Sequence, residues 1–253
     1  MKKLSFVLVC AVSLFMMSNV FAQEMNNDAG KLYNEGNSML KAGNYNGAID
    51  NYTKALAIEK DYRIYYQLGV AQKKSRKLAD AKNSFEECIK LKSDFANAYN
   101  ALGGVYFQLG KFQEAIDNFE KVLTLAKNPR IQKKVKKNLS LAYTKLGNNE
   151  LSAGNAKKGI DALEKAVANY HYDAAYLSLA KVYSELGEYD KSIAAAENAL
   201  KYRSKITKGG PYFYMGVSYK GKGDTAKAKE MFTKAKKDRT YKKTAEYELS
   251  SLN

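Results

Sequence analysis

The chain has 253 residues, with 42 Lys and Arg against 26 Asp and Glu, a formal net charge of +16. Hydrophobic residues make up 45% of it and tyrosine alone contributes 20 positions, which excludes intrinsic disorder. Only 2 Pro favour helices over Pro-rich β-turns, and 2 Cys with 1 His exclude a disulfide framework and a Cys/His zinc site.

Residues 1–22 read as a secretory signal peptide. Lys2 and Lys3 precede an uncharged apolar stretch, Leu4 to Met17, and Val20-Phe21-Ala22 ends it with the pattern a signal peptidase reads. The stretch is short for a bilayer span, so no transmembrane segment is expected after cleavage. The expected location is periplasmic or secreted, in a bacterial envelope, with a short segment 23–28 ahead of the folded part. Cys88 is then the only thiol left, and stability must come from packing.

From residue 29 onward one pattern returns about every 34 residues. A small residue stands at Gly36, Gly69, Gly103, Gly147, Ala180 and Gly216. Leu or Tyr precedes each by four places, at Leu32, Tyr65, Tyr99, Tyr143, Tyr176 and Tyr212. Gly43, Arg76, Gly110, Gly154, Gly187 and Gly223 follow, then small residues at Ala48, Ala81, Ala115, Gly159, Ser192 and Ala228. A bulky residue comes next at Tyr52, Phe85, Phe119, Leu163 and Phe232, with Ala196 the exception. Spacings of three and four define one face of a helix, and the central Gly ends the first helix in a left-handed turn. A single helix pair cannot bury both its faces, so the pairs are expected to stack.

Two steps are longer. Asn128-Pro129 opens one of them, and a single helix from Pro129 to about Ala153 is predicted there. Gly209-Gly210-Pro211 opens the other and reads as a flexible entry. Asp61, Asp94 and Asp173 are placed to cap following helices. Residues 241–253 carry Tyr241, Ala245, Leu249 and Leu252 on one side, as a closing helix would.

The stretch from Tyr99 to Tyr106 (Tyr-Asn-Ala-Leu-Gly-Gly-Val-Tyr), followed by Gly110-Lys111-Phe112-Gln113-Glu114-Ala115-Ile116, closely resembles the tetratricopeptide repeat (TPR) motif. The resemblance spans about residues 29–242, in copies at 29–62, 62–95, 96–129, 130–173 with an extended first helix, 173–206 and 209–242, with a capping helix at 241–253. It implies an all-α fold, a right-handed superhelical solenoid of antiparallel helix pairs. It also implies a concave groove, lined by the first helix of each pair, that holds a peptide or partner protein.

Three-to-four spacing around the aligned small residues then places Tyr33, Asn37, Arg63, Tyr66, Lys73, Asn97, Asn100, Phe107, Asn148, Lys181, Phe213 and Lys220 on the groove. The charges there are all positive, and Asn can bond a peptide backbone. Some family members grip a C-terminal carboxylate with Lys, Asn and Arg. Asn37 matches one of those places, but Tyr33 replaces the Lys and Ala101 stands where the Arg would be, so that clamp is incomplete.

Charge is uneven. Arg130, Lys133, Lys134, Lys136 and Lys137 form one basic block, and Lys234, Lys236 and Lys237 belong to a basic end that could meet an anionic envelope surface. Nucleic acid fits poorly with export and with the lack of reader motifs. No phosphate loop, Gly-x-Ser-x-Gly, His-Glu-x-x-His or Cys-x-x-Cys occurs. His171 falls at an inter-repeat turn, and Cys88 at a place that demands a small side chain. The expectation is a non-catalytic scaffold, without cofactor or metal, for an unidentified protein or peptide.

Overall fold

The computed structural model describes residues 25–252, so the expected signal peptide lies outside the described residues. Thirteen α-helices and no strand occur among them. They form six pairs: α1 (Asn27–Lys41) with α2 (Tyr45–Ile58), α3 (Tyr62–Lys74) with α4 (Leu78–Leu91), and α5 (Ala96–Gln108) with α6 (Phe112–Leu125). Then come α7 (Pro129–Ser152) with α8 (Ala156–Asn169), α9 (Asp173–Glu185) with α10 (Tyr189–Lys201), and α11 (Gly209–Gly221) with α12 (Thr225–Ala235). A last helix, α13 (Lys242–Ser250), closes the array. Each helix packs chiefly on its pair partner and on its neighbours in sequence, which is an all-α solenoid of helix pairs.

The turn inside each pair is the same device six times. Gly110 has φ +75°, and the Lys111 N–H donates to the Tyr106 carbonyl at 2.9 Å, the long bond of a Schellman cap. Arg76 takes this left-handed place in the second pair, at φ +63°, where its Cβ is crowded.

Close approach of the paired helices rests on the small residues. A Cβ on Gly103 would stand 2.8 Å from the Phe119 ring. Neighbouring pairs are tied by tyrosines: the hydroxyls of Tyr106, Tyr143 and Tyr183 donate to Glu86, Glu120 and Glu164 of the preceding pair, at 3.1, 2.7 and 2.6 Å. Burial first, then these hydrogen bonds, raises the pKa of Tyr143 and Tyr183. Cys88 is fully buried in α4, and burial pushes its thiol up to about 12, so it is a packing group and not a nucleophile.

Two readings of the turns are corrected. Gly209, Gly210 and Pro211 are no flexible entry: they form the first turn of α11 and are all buried. A Cβ on Gly210 would meet the Tyr241 hydroxyl at 2.9 Å and Leu177 at 3.1 Å, so glycine is there for close packing. Of the proposed caps, Asp61 accepts from the Arg63 N–H at 2.6 Å, but α5 starts from Phe95 without a side-chain cap. Asp173 is the first residue of α9, and its carboxylate serves a different turn, described below.

Candidate functional site

The first helices α3, α5 and α7 converge on a hollow of about 240 Å³, whose walls include Lys73, Gly104, Phe107, Gln108, Phe119, Asn138 and Leu141. Lys73 and Phe107, both groove candidates, are brought together here. Lys73 reaches from α3 across the backbone of α5: a Cβ on Gly104 would lie 2.8 Å from its ammonium. Burial lowers the pKa of that ammonium, and no carboxylate among the described residues pairs with it. Phe107 is fixed by an edge-on contact with Phe112, ring centres 5.4 Å apart. Asn100 lies one turn before Gly104, and its amide oxygen is buried without a donor. Leaving such an acceptor unmet costs about 1–3 kcal/mol.

Several other groove candidates are engaged elsewhere. Tyr33 packs on the Tyr52 ring, and Asn37 accepts from the Tyr52 hydroxyl at 2.8 Å. Arg63 is held by the Asp61 carboxylate, with contacts of 2.9 and 2.5 Å. Tyr66 packs between Phe85 and Phe95, at 5.9 and 5.2 Å, and is inter-repeat packing and not an open anchor. Asn97 is exposed at the start of α5, Asn148 is half-buried on α7, and Lys181 pairs with Glu185 at 3.9 Å.

Phe213 and Lys220 are removed from the groove by α13 and the turn before it. Phe213 packs on Tyr241 at 5.5 Å, and the Lys220 ammonium bonds Glu248 at 2.7 Å and Ser251 at 2.9 Å. A final repeat has no following pair, so the closing helix covers the surface a seventh pair would have covered.

Sequence spacing missed Gly104, Gln108, Asn138 and Leu141. Signals for three of them existed. Gly104 and Gln108 continue the helical face of Asn100 at steps of four, and Leu141 stands as far before Gly147 as Asn97 before Gly103.

The basic residues form two separate places. Arg130, Lys133, Lys134, Lys136 and Lys137 are exposed on the first part of α7. At the end of α12, Lys234 is neutralised by Glu230 at 2.6 Å and lies over the Tyr212 ring, while Lys236 and Lys237 are exposed. Among the described residues no helix is long and apolar enough to cross a membrane.

Models of the tetratricopeptide repeat match residues 29–62, 62–95, 96–129, 144–211 and 212–239. Among relatives, the heat shock protein STI1 of Saccharomyces cerevisiae is 31% identical over 93 residues, covering 36% of this chain and 16% of that protein. The human DnaJ homolog subfamily C member 7 is 31% identical over 116 residues, covering 44% of this chain and 23% of its own length. The chain thus spans less than a quarter of either relative. Of solved structures, the MamA protein superposes with a TM-score of 0.50 at 27% identity, over 74% of this chain and 96% of that one. YrrB, a TPR protein, superposes with a TM-score of 0.52 at 21% identity, over 78% and 96%. With the repeat matched over residues 29–129 and 144–239 and the helix pairs laid out as described, the chain belongs to the tetratricopeptide repeat family.

Proposed function

We propose that this protein is a non-catalytic scaffold of the cell envelope that holds a segment of a partner protein in the groove of its second, third and fourth repeats. The observation that carries this reading is the hollow between α3, α5 and α7, with Phe107 and Leu141 as apolar walls and an unpaired Lys73 ammonium at its edge. At about 240 Å³ it is smaller than the ~300–1,000 Å³ of small-molecule sites, and it suits one bulky side chain of a bound segment. Lys73 would favour an acidic group beside that side chain. The envelope location rests on Lys2, Lys3, the apolar run and Val20-Phe21-Ala22.

The non-catalytic part of the reading is supported by His171, the chain's one imidazole, whose ring is stacked on Tyr202 and whose Nδ1 is taken up by the Tyr176 hydroxyl at 2.9 Å. The test is a photo-reactive residue placed at Gln108, with a second placed at exposed Thr233 on α12 for comparison. Adducts with envelope proteins that form only from position 108, and vanish in Phe107→Ala, support the groove. Equal adducts from both positions reject it. Intact mass of the natively expressed protein checks export: a mass retaining residues 1–22 contradicts it.

A further inference from the structure

Two irregularities of the repeat, far apart in sequence, meet at one cleft. The first is the extension of α7, a helix of 24 residues where α5 and α9 have 13. The second is the longer turn between α10 and α11. They border a hollow of about 380 Å³ at the edge of the solenoid, away from the groove, whose lining includes Lys133, Val167, Tyr170, His171, Tyr202 and Ser204. Its size lies within the ~300–1,000 Å³ of ligand sites.

The walls are held rigid. Asp173 is completely buried, and its carboxylate accepts from the backbone N–H groups of Ser204, Lys205 and Ile206 at 2.6, 2.6 and 3.1 Å. A buried carboxylate without a cation is costly, so these donors pin the turn in one shape. His171 lies parallel to Tyr202, with ring centres 4.1 Å apart and planes at 7°, and accepts or donates to the Tyr176 hydroxyl through Nδ1. Lys137 sits over the Tyr170 ring at 5.8 Å. Lys133 has no carboxylate partner among the described residues, and Arg130, Lys134 and Lys136 on the same helix are likewise without one.

We infer that this cleft binds an anionic sugar ring. Aromatic walls and the Val167 side chain suit the apolar face of a pyranose. The His171 imidazole and the oxygen of the Ser204 hydroxyl, whose own proton goes to Asp173 at 3.3 Å, match its hydroxyls, and Lys133 meets its charge. A neutral ring would leave the ammonium unmet, and a small inorganic anion would leave the apolar walls unfilled. The site is independent of the groove and of the partner held there.

His171 is the only histidine in the chain, so its imidazole NMR signal reports on this cleft alone. The mature protein is titrated at one fixed pH and ionic strength with sodium glucuronate, glucose, sodium acetate and inorganic phosphate. Glucuronate should shift the signal along a saturable curve, with glucose at least tenfold weaker and the two simple anions without saturable effect. Lys133→Gln should weaken glucuronate at least fivefold. Ala168→Trp, at an exposed place in the same lining, should fill the cleft and abolish binding while the melting temperature holds. Glucose equal to glucuronate, acetate or phosphate reproducing the glucuronate curve, no response to glucuronate, or indifference to Lys133→Gln would each overturn the proposal.

Discussion

The ring edge of Phe119 occupies the space where a side chain on Gly103 would begin, with Phe119 Cε1 2.8 Å and the Ala115 carbonyl oxygen 3.2 Å from an added Cβ. The same opposition joins Gly36 to Tyr52, Gly69 to Phe85, Gly147 to Leu163 and Gly216 to Phe232. In the fifth pair Ala180 faces the matching place, and Ala196 stands where the others have a bulky group. A methyl on one helix accompanies the loss of a large side chain on the other, so the added methyl is accommodated at close helix spacing. Gly103→Leu should therefore overpack α5 against α6 and cost about 1–3 kcal/mol. A urea midpoint equal to wild type would show that this contact does not set the spacing.

Arg76 invites the opposite experiment. Its φ of +63° is the conformation that glycine supplies at the other five turns. The left-handed conformation costs a non-glycine residue about 1–2 kcal/mol, and glycine loses back part of this through the entropy of the unfolded chain. Arg76→Gly should raise stability by about 0.5–1 kcal/mol, read as a higher melting temperature with unchanged helicity. Arg76→Val should lower it, because a β-branched side chain fits this region worse than arginine does.

Asp173 makes the turn of residues 204–206 sensitive to acid. Burial pushes its pKa up, but the backbone donors outweigh burial and hold the carboxyl below its ordinary value. A carboxyl depressed in the folded state contributes stability above its unfolded pKa of ~3.9, and that contribution is lost as pH falls through the folded pKa. Hydrogen exchange of Ser204, Lys205 and Ile206 should then accelerate only below about pH 4, earlier than in the helices. Asp173→Asn should remove the acid sensitivity and cost about 1–3 kcal/mol at neutral pH, since buried N–H groups lose a charged acceptor. Wild-type pH dependence of this turn in the variant would show that another group controls it.

The helix pairs were legible because each repeat states its chemistry in residue size. Gly110 can only be a left-handed turn, and Gly103 with Phe119 can only be a close crossing. The groove was legible in part, because helical spacing assigns a face but not what lies over it. Tyr66 and Phe107 look alike by spacing, yet Tyr66 meets Phe95 of the next turn, while Phe107 borders an open hollow beside Gly104. Phe213 was lost to α13 for the same reason. The cleft at Asp173 was illegible, because it is made by a helix extension and a turn that no repeat register aligns.

The groove and the basic end of the chain predict different losses. Phe107 borders the hollow without forming part of the fully buried core, so Phe107→Ala should leave the fold intact and remove a wall of the site. Loss of a buried aromatic contact typically costs an interface more than about 1 kcal/mol, so partner affinity should fall about fivefold or more. Gly104→Leu should do the same by filling the hollow, and Lys73→Gln should weaken partners whose segment carries an acidic group. Tyr66→Ala is a poor probe of binding, because it opens the packing around Phe85 and Phe95 and lowers stability directly. Lys236→Gln with Lys237→Gln changes exposed charges at the end of α12, and surface charges contribute little at physiological salt. Calorimetry with the captured partner, at low and at moderate salt, separates the two. Groove binding survives moderate salt and fails in Phe107→Ala; the reverse pattern, salt-labile and abolished by the two Lys changes alone, would place the interaction on the basic end.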